Sequence, residues 1–332
     1  MMNYQELGAK AAQSDTTSRK IVQGRVLQYD ADFACYEVSD LEESASQSYK
    51  RLLDHIEMKR NMAGAEHVNV HITLGTKSGR EGMATVKEYQ ENRDPDKPIK
   101  VRVRELRHML ANADNVDHAT VMFNLHYEAD DMIVKCQHKQ IKEFGWESSV
   151  IMSGDKDLWM GQGYHCNAKT GRLHFVRGYG STEYKEVGNV KPKLVGEGRS
   201  WFWHQMIMGD TADNIPGLEK ISNNMLDKYT PLKSGKARNN GAGACGEGKA
   251  VIVLDGVTTD KEAAQRVYQL YWEYYGAEAS ERFIEQAYLL WMQRTDNPWD
   301  ILTYLHETCG LKVHPSTRQV KVVEDFINIC KT

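Results

Sequence analysis

Tyr127-Glu128-Ala129-Asp130-Asp131-Met132-Ile133-Val134 is the stretch on which the reading of this chain turns. Three carboxylates fall within four residues, where the apolar run 119–125 gives way to a helix-like one. Two like charges about 4 Å apart repel by roughly 4 kcal/mol at an effective dielectric of 20, so the crowding calls for a compensating cation. A plainer role is open to each acid, because an Asp at a helix start caps backbone N–H groups or meets the positive end of the dipole. The flanking chain decides between the two.

On the upstream side Ala119-Thr120-Val121-Met122-Phe123 reads as a buried strand. Downstream, 132–144 continues as a helix to Gly145, and Ser149-Val150-Ile151-Met152 is a further strand ending in Ser153-Gly154-Asp155-Lys156-Asp157. Toward the N-terminus, Arg25-Val26-Leu27-Gln28-Tyr29 is the first core strand and ends at Asp30, with Ala31-Asp32 after it. Residues 44–60 read as a helix with a solvated charged face. His67-Val68-Asn69-Val70-His71-Ile72-Thr73 alternates at strand period and stops at Gly75, so His67 and His71 read as strand-surface residues and not as ligands. Residues 172–176 read as a hairpin or edge strand. Strands alternating with helices predict an α/β fold with a mostly parallel central sheet flanked by helices. Ligands of such sheets gather at the carboxyl ends of the strands. Asp30, the Glu128/Asp130/Asp131 group and the Asp155/Asp157 pair all fall there, and three acidic turns on one rim are hard to assign to capping.

Between 77 and 107 the cations Lys77, Arg80, Lys87, Arg93, Lys97, Lys100, Arg102, Arg104 and Arg107 outnumber six acids, and Tyr89 lies among them. Such a run is commonly plain surface. Its functional reading is a mobile cationic arm that grips a phosphate backbone and offers an aromatic for base stacking. Further on, the aromatic run 200–208 leads into Gly209-Asp210-Thr211-Ala212-Asp213-Asn214-Ile215-Pro216-Gly217, where Asp210 and Asp213 point the same way if they share a helical turn. Residues 228–249 are rich in Gly, Asn and Lys, including Lys233, Lys236 and Arg238, and read as a flexible cationic loop. Gly246-Glu247-Gly248-Lys249-Ala250 opens another helix. Its exposed N–H groups suit a phosphate without base preference, although a structural turn is the plainer reading. Residues 260–332 read as helical, with aromatic faces serving as core.

A chain of 332 residues can bury a sizeable core and is expected to form two lobes. A net charge of -4 excludes a globally basic nucleic-acid coat, but leaves room for a local basic surface opposed by an acidic site. No stretch has the length of a transmembrane helix, and the start is polar and not signal-like. The six cysteines are scattered without metal-finger spacing and read as reduced thiols. A soluble cytoplasmic protein without membrane partners is expected.

From about residue 22 to 256 the sequence resembles the 5′-nuclease superfamily of flap endonucleases and 5′-to-3′ exonucleases, most closely the bacteriophage enzymes and the 5′-nuclease domain of bacterial DNA polymerase I. Glu128-Ala129-Asp130-Asp131, Ser153-Gly154-Asp155-Lys156-Asp157 and the 209–217 motif carry the resemblance, in this order and with family-like spacing. The resemblance implies a PIN-like 5′-nuclease fold with a helical arch and a helix–turn–helix duplex-binding element. It implies a polar arm over 1–20, a nuclease domain over 21–199 with its arch at about 77–107, a DNA-binding element over 200–256 with the cationic loop 228–249, and a helical region over 257–332. It implies phosphodiester hydrolysis with two divalent ions, Mg2+ or Mn2+, and hard oxygen ligands without His or Cys suit such ions.

By the same resemblance Asp30, Glu128 and Asp130 would serve the first ion. Asp155, Asp157 and Asp213 would serve the second, with Asp131 and Asp210 near or behind them. Arg93 would steady the scissile phosphate. Lys77, Arg80, Lys87, Tyr89, Lys236, Arg238, Gly246, Gly248 and Lys249 would contact nucleic acid. The implied partner is DNA with 5′ ends, flaps or junctions, or an RNA–DNA hybrid, met by a monomer working beside single-strand-binding protein or polymerase in replication, primer removal, repair or DNA degradation; a phage-encoded chain would do so in the host cytoplasm. Two positions depart from the pattern. Thr76 stands where the family has an Asp after its second strand, and Gln90 where the arch has a Lys. They favour a rival reading, a non-catalytic DNA-junction binder. A PIN-type ribonuclease is a third, opposed by the 209–217 motif. The turn of the duplex-binding element is open between Gly217-Leu218-Glu219-Lys220 and Gly246-Glu247-Gly248-Lys249.

Overall fold

Strand β1 (Val22–Asp30) is buried without interruption from Leu27 to Asp30, which places it inside a sheet covered on both faces. The computed structural model describes residues 19–187 and 190–331. Around β1 lie β2 (Ala65–Thr73), β3 (Ala119–Asn124), β4 (Ser149–Met152), β5 (Gly163–Cys166) and β6 (Leu173–Val176), in the order β3-β2-β1-β4-β5-β6. All neighbours run parallel except β5 and β6. Helices α1 (Ala31–Val38) and α2 (Ala45–Ala63) cross from β1 to β2, α3 (Arg80–Met83) and α4 (Pro98–Ala111) from β2 to β3, and α5 (Ala129–Phe144) from β3 to β4. Winding leaves β1 in both directions, toward β2 and toward β4, so the switch point lies at the carboxyl ends of these strands. The expected α/β fold with a mostly parallel sheet is the one observed.

Local chemistry accounts for the elements. Ser44 caps α2 and Gln47 returns the bond to the Ser44 N–H, a reciprocal capping box. Leu27, Tyr29, Val68, Val70 and Ile72 pack beneath Leu52, Ile56, Val103, Leu106 and Leu110 as the sheet core. Each buried Leu or Ile adds about 1.5–3 kcal/mol. A second core joins α6 (Gly198–Met208), α7 (Glu247–Leu254), α8 (Asp260–Tyr275) and α9 (Ala279–Leu290) through Phe202, Trp203, Val253, Val267, Tyr271 and Phe283. Met83 and Tyr89 from the 77–107 segment belong to this core, as does Val323 of a later helix (Thr317–Ile329).

Three expectations change. The 119–123 strand is not buried: β3 is the edge of the sheet and Phe123 is 44% exposed. His71 is no surface residue, because helices cover both faces of β2. It is fully buried and its Nε2 lies 2.8 Å from Gln28 Oε1. The segment 220–244 holds an antiparallel ladder, β9 (Lys220–Ser222) against β10 (Ala242–Ala244), that the sequence did not announce. The ladder closes the loop 223–241 as an excursion, and Gly246 then caps α7, which turns at Gly256 into α8. The hairpin β7 (Ser181–Val187) and β8 (Val190–Glu197) precedes α6. The expected polar arm lies almost wholly outside the described residues.

Candidate active site

Each acidic turn comes off the end of a strand or out of a tight loop. Asp30 ends β1 and caps α1, its Oδ1 accepting from Phe33 N at 3.0 Å while Oδ2 accepts from the Ser153 hydroxyl after β4. Glu128 and Asp130 open α5, and Asp155 and Asp157 follow β4. The 209–217 loop is held by reciprocal bonds between Asp210 and Ile215, both 2.8 Å. A Cβ on Gly209, whose φ is +72°, would lie 2.2 Å from Ile215 O, so the turn requires glycine. Asp210 and Asp213 therefore sit on a tight turn, not on one helical turn as the spacing suggested. A Cβ on Gly75 would lie 1.9 Å from Leu125 O, which shows how closely the β2 and β3 exits approach.

These turns converge on a cleft of about 750 Å³ lined by Asp30, Glu128, Asp130, Asp155, Asp157 and Asp213, with Asp32 beside them. Asp210 lies in a recess next to Glu128, Asp157 and Asp213. Lys77, Arg93, Arg104 and Arg107 line the same cleft.

Asp131 takes another direction. It is fully buried behind the rim and accepts from Arg80 Nη1 at 2.7 Å, Arg80 Nη2 at 2.9 Å, Gln293 N at 3.0 Å and the Ser78 hydroxyl. Burial alone would raise its pKa, but Arg80 and these donors hold it below the usual carboxylate range. Arg80 also donates to Glu128, Leu289 O and Trp291 O. Its expected contact with nucleic acid is thereby corrected: the guanidinium is an internal counter-ion, buried because the second core closes over it. Tyr89 is corrected likewise. It is buried, with its hydroxyl 3.2 Å from Glu128 Oε2, so it offers no face for a base to stack on.

Gln90 sits at φ +58° and its amide bridges Asp213 Oδ1 at 3.0 Å and Glu128 Oε1 at 3.3 Å. Left-handed backbone at a non-glycine residue costs about 1–3 kcal/mol and is held only where the surroundings dictate it. Arg93 pairs with Asp213 yet keeps its side chain half exposed. Lys156 bridges Asp210 at 2.7 Å and Asp157 at 3.5 Å, and Asp157 accepts from Trp201 Nε1 at 2.9 Å and Gln205 Nε2 at 2.7 Å. Asp130 alone among these acids accepts no hydrogen bond from the described residues.

Burial and mutual repulsion show in the proton affinities. Burial first, then Asp32 and Asp155, push Asp30 up to about 7, against the opposing Ser153 and Phe33 bonds. Burial and Asp155 push Asp157 up to about 8. Burial also raises Glu128, Asp130 and Asp155. Asp210 moves the other way: burial opposes it, but the Asp157 bond and Lys156 hold it below the ordinary range. Raised carboxyl pKa values mean that these groups bind more protons in the fold than in the unfolded chain, so their contribution to stability is largest at low pH and is lost as pH rises through about 7 and 8. In chelator the Tm is expected to fall between pH 5 and pH 8, each such group costing at most ~1.4 kcal/mol per pH unit. Adding Mg2+ should raise the Tm more at pH 8 than at pH 5, and a Tm flat across this range in chelator would contradict the account.

The donor set fits a hard divalent cation: carboxylate oxygens only, no His or Cys, and Asp130 without a partner. Among the described residues no three His, Cys, Asp or Glu side chains converge as a ready metal cage. Mg2+ commonly keeps several waters between itself and its carboxylates.

The expected nucleic-acid residues divide. Lys87 and Lys236 are exposed, and Lys77 is partly exposed with Glu81 at 3.1 Å. Arg238 is tied to Asp227 and Thr230 O inside its loop, and Lys249 donates to Gly243 O at 2.6 Å and Ile221 O at 3.1 Å, so both hold structure. A Cβ on Gly246 or Gly248 would meet nothing within 4 Å, which leaves the start of α7 open. Reading the sequence for motifs passed over Asp32, Arg104 and Arg107 as lining residues. The signal for Asp32 was its place two residues after a strand-end acid, and for Arg104 and Arg107 their i, i+3 spacing on α4.

The arrangement defines a fold class first, an α/β fold of the 5′-nuclease type. Solved structures with a similar fold include T5 proteins. The crystal structure of T5 D15 protein co-crystallised with metal ions matches over 92% of this chain and 100% of its own, with TM-score 0.52 and 14% identity. The T5 5′-exonuclease with bound divalent zinc matches over 92% and 99%, with TM-score 0.52 and 14% identity. At that identity the likeness is one of fold. No protein-family model matches the sequence, and no curated protein does.

Proposed function

We propose that the chain hydrolyses phosphodiester bonds at 5′ ends or 5′ flaps of DNA with the help of divalent cations. The observation that carries this is the meeting of opposite charges in one cleft. Acids from the ends of β1 and β4, from the start of α5 and from the 209–217 loop share its lining with Lys77, Arg93, Arg104, Arg107 and Lys156. A phosphate backbone needs the cations for binding, and its hydrolysis needs the acids. The T5 neighbours are described with bound metal ions, which supports a divalent cofactor on this fold.

Asp30, Glu128 and Asp130 would hold one ion, and Asp155, Asp157 and Asp213 a second, with Asp210 behind them. Bound Mg2+ or Mn2+ would supply water activation and stabilisation of the leaving oxygen. Arg80 keeps Glu128 and Asp131 oriented from behind. Arg93, half exposed, can exchange Asp213 for the scissile phosphate. Gln90 bridges Glu128 and Asp213 without adding charge. The open start of α7 at Gly246 and Gly248 would meet duplex phosphates, with Lys236 as an exposed cation shortly before it in sequence and Lys87 as an exposed cation of the 77–107 segment. Gln90 and Thr76, both neutral, favour the second reading, a junction binder without cleavage.

A duplex labelled at its 5′ end, with and without a single-stranded 5′ flap, separates the two. Release of short 5′ products with Mg2+ or Mn2+ and none in chelator is the expected result, and the ratio between substrates ranks exonuclease against flap cleavage. Binding without cleavage in both metals would establish the junction binder instead.

A further inference from the structure

No acid follows β2 in Leu74-Gly75-Thr76, and Thr76 does not turn its hydroxyl to the cleft. Its hydroxyl bonds Leu125 O and His126 O, both at 3.3 Å, its N–H bonds Leu125 O at 2.8 Å, and it does not line the cleft. A different carboxylate reaches that place. Thr73, the last residue of β2, donates its N–H to Asp32 Oδ1 at 3.1 Å and accepts from Ala129 N at 2.9 Å through its hydroxyl. The Asp32 carboxylate therefore lies over the end of β2, beside the first turn of α5 that carries Asp130. It lines the cleft with Asp30, Glu128 and Asp130, and its side chain is 22% exposed, so a solute can reach it. Its counter-ion is Arg107 of α4 at 2.7 Å, on the wall that also carries Arg104.

We propose that Asp32, delivered from the first turn of α1, takes the place of the β2-end carboxylate in holding a hard divalent cation, with Arg107 as its counter-ion until the cation arrives. This inference rests on the metal-dependent nuclease reading above. Three features point the same way: the carboxylate lies over the end of β2 and lines the cleft with Asp30, Glu128 and Asp130, one of its oxygens is fixed by a backbone N–H, and its only ion-pair partner among the described residues is a cation on a separate helix. A cation at Asp32 would also release Arg107 into the cleft, where a phosphate is to be bound.

The alternative is structural. An acid in the first turn of a helix stabilises that helix, and the Asp32–Arg107 pair fastens α1 to α4. The two roles separate in Mn2+ titrations of the full chain by calorimetry, read beside thermal melts in chelator. Asp32→Asn keeps an acceptor for Thr73 N but loses the charge, and is expected to weaken Mn2+ binding about tenfold or more. Arg107→Gln breaks the same pair without removing the carboxylate, and is expected to tighten Mn2+ binding a few-fold. A purely structural pair would lower Tm alike in both variants and leave the Mn2+ isotherm as in the unsubstituted protein, which overturns the inference. So would equal weakening by both substitutions. Failure of the underlying reading looks different: the unsubstituted protein would then show no Mn2+ binding above background and no cleavage. If Asp32→Asn does not fold, tighter Mn2+ binding by Arg107→Gln supports the inference and unchanged or weakened binding overturns it.

Discussion

Asp130→Asn is expected to lower metal-dependent cleavage of a 5′-labelled flap duplex by on the order of 10³-fold while raising the Tm in chelator. Both effects come from one property of the residue. Asp130 faces Asp30, Glu128 and Asp155 without a hydrogen-bond donor of its own, and burial with that repulsion holds its pKa well above the usual value. Removing the charge relieves the repulsion, so the metal-free fold gains. On the proposed function it also removes a ligand from the place where charge stabilisation of the reaction would be concentrated, and losing one such contact typically costs 10²–10³ in rate. The measurement is single-turnover cleavage in Mg2+ beside a melt in chelator. Full activity in the variant would remove Asp130 from the machinery, and a lowered Tm would show that its charge is compensated in a way the geometry does not reveal.

Arg80→Met is expected to destabilise the protein by about 3–5 kcal/mol, because it leaves Asp131 buried without its counter-ion. For a chain of this size that is a fall in Tm of roughly 10 °C, by extrapolation of the scaling for 150–250 residues. Replacing both partners, Arg80→Met with Asp131→Leu, should recover much of the loss, since a buried pair exchanged for apolar groups is often neutral. Cleavage should not recover in the double variant, because Glu128 still lacks the Arg80 bond. Equal melting of the single variant and the parent would show that the clamp contributes nothing to folding.

What could be read in the sequence was what neighbours in sequence decide. Val26 to Asp30, 149–152 and the Ser44-capped helix announce themselves by apolar runs and caps, and the α/β order follows from their alternation. Acids at strand ends pointed to one rim because a parallel sheet puts all its carboxyl ends on one side. Arg80 and Tyr89 could not be read correctly, since nothing near them in sequence separates a cation or ring of an exposed arm from one sealed under α9. The deciding partners, Leu289 O and Trp291 O, lie more than 200 residues away. The β9–β10 ladder escaped for another reason: two three-residue strands, one of them Ala-Gly-Ala, carry too little apolar pattern to register. Asp32 escaped because a helix-start acid has a sufficient local explanation.

The Arg80 clamp also sets an order of events on the ribosome. The sheet core, 27 to 176, is synthesised and can pack well before residues 285–293 emerge. Until they do, Arg80 lacks the Leu289 and Trp291 carbonyls, Thr85 lacks Glu285, and Asp131 lacks the Gln293 N–H. A nascent chain therefore carries an acidic rim that is not braced until residues 285–293 have been made, and whatever chemistry the cleft performs would wait for them.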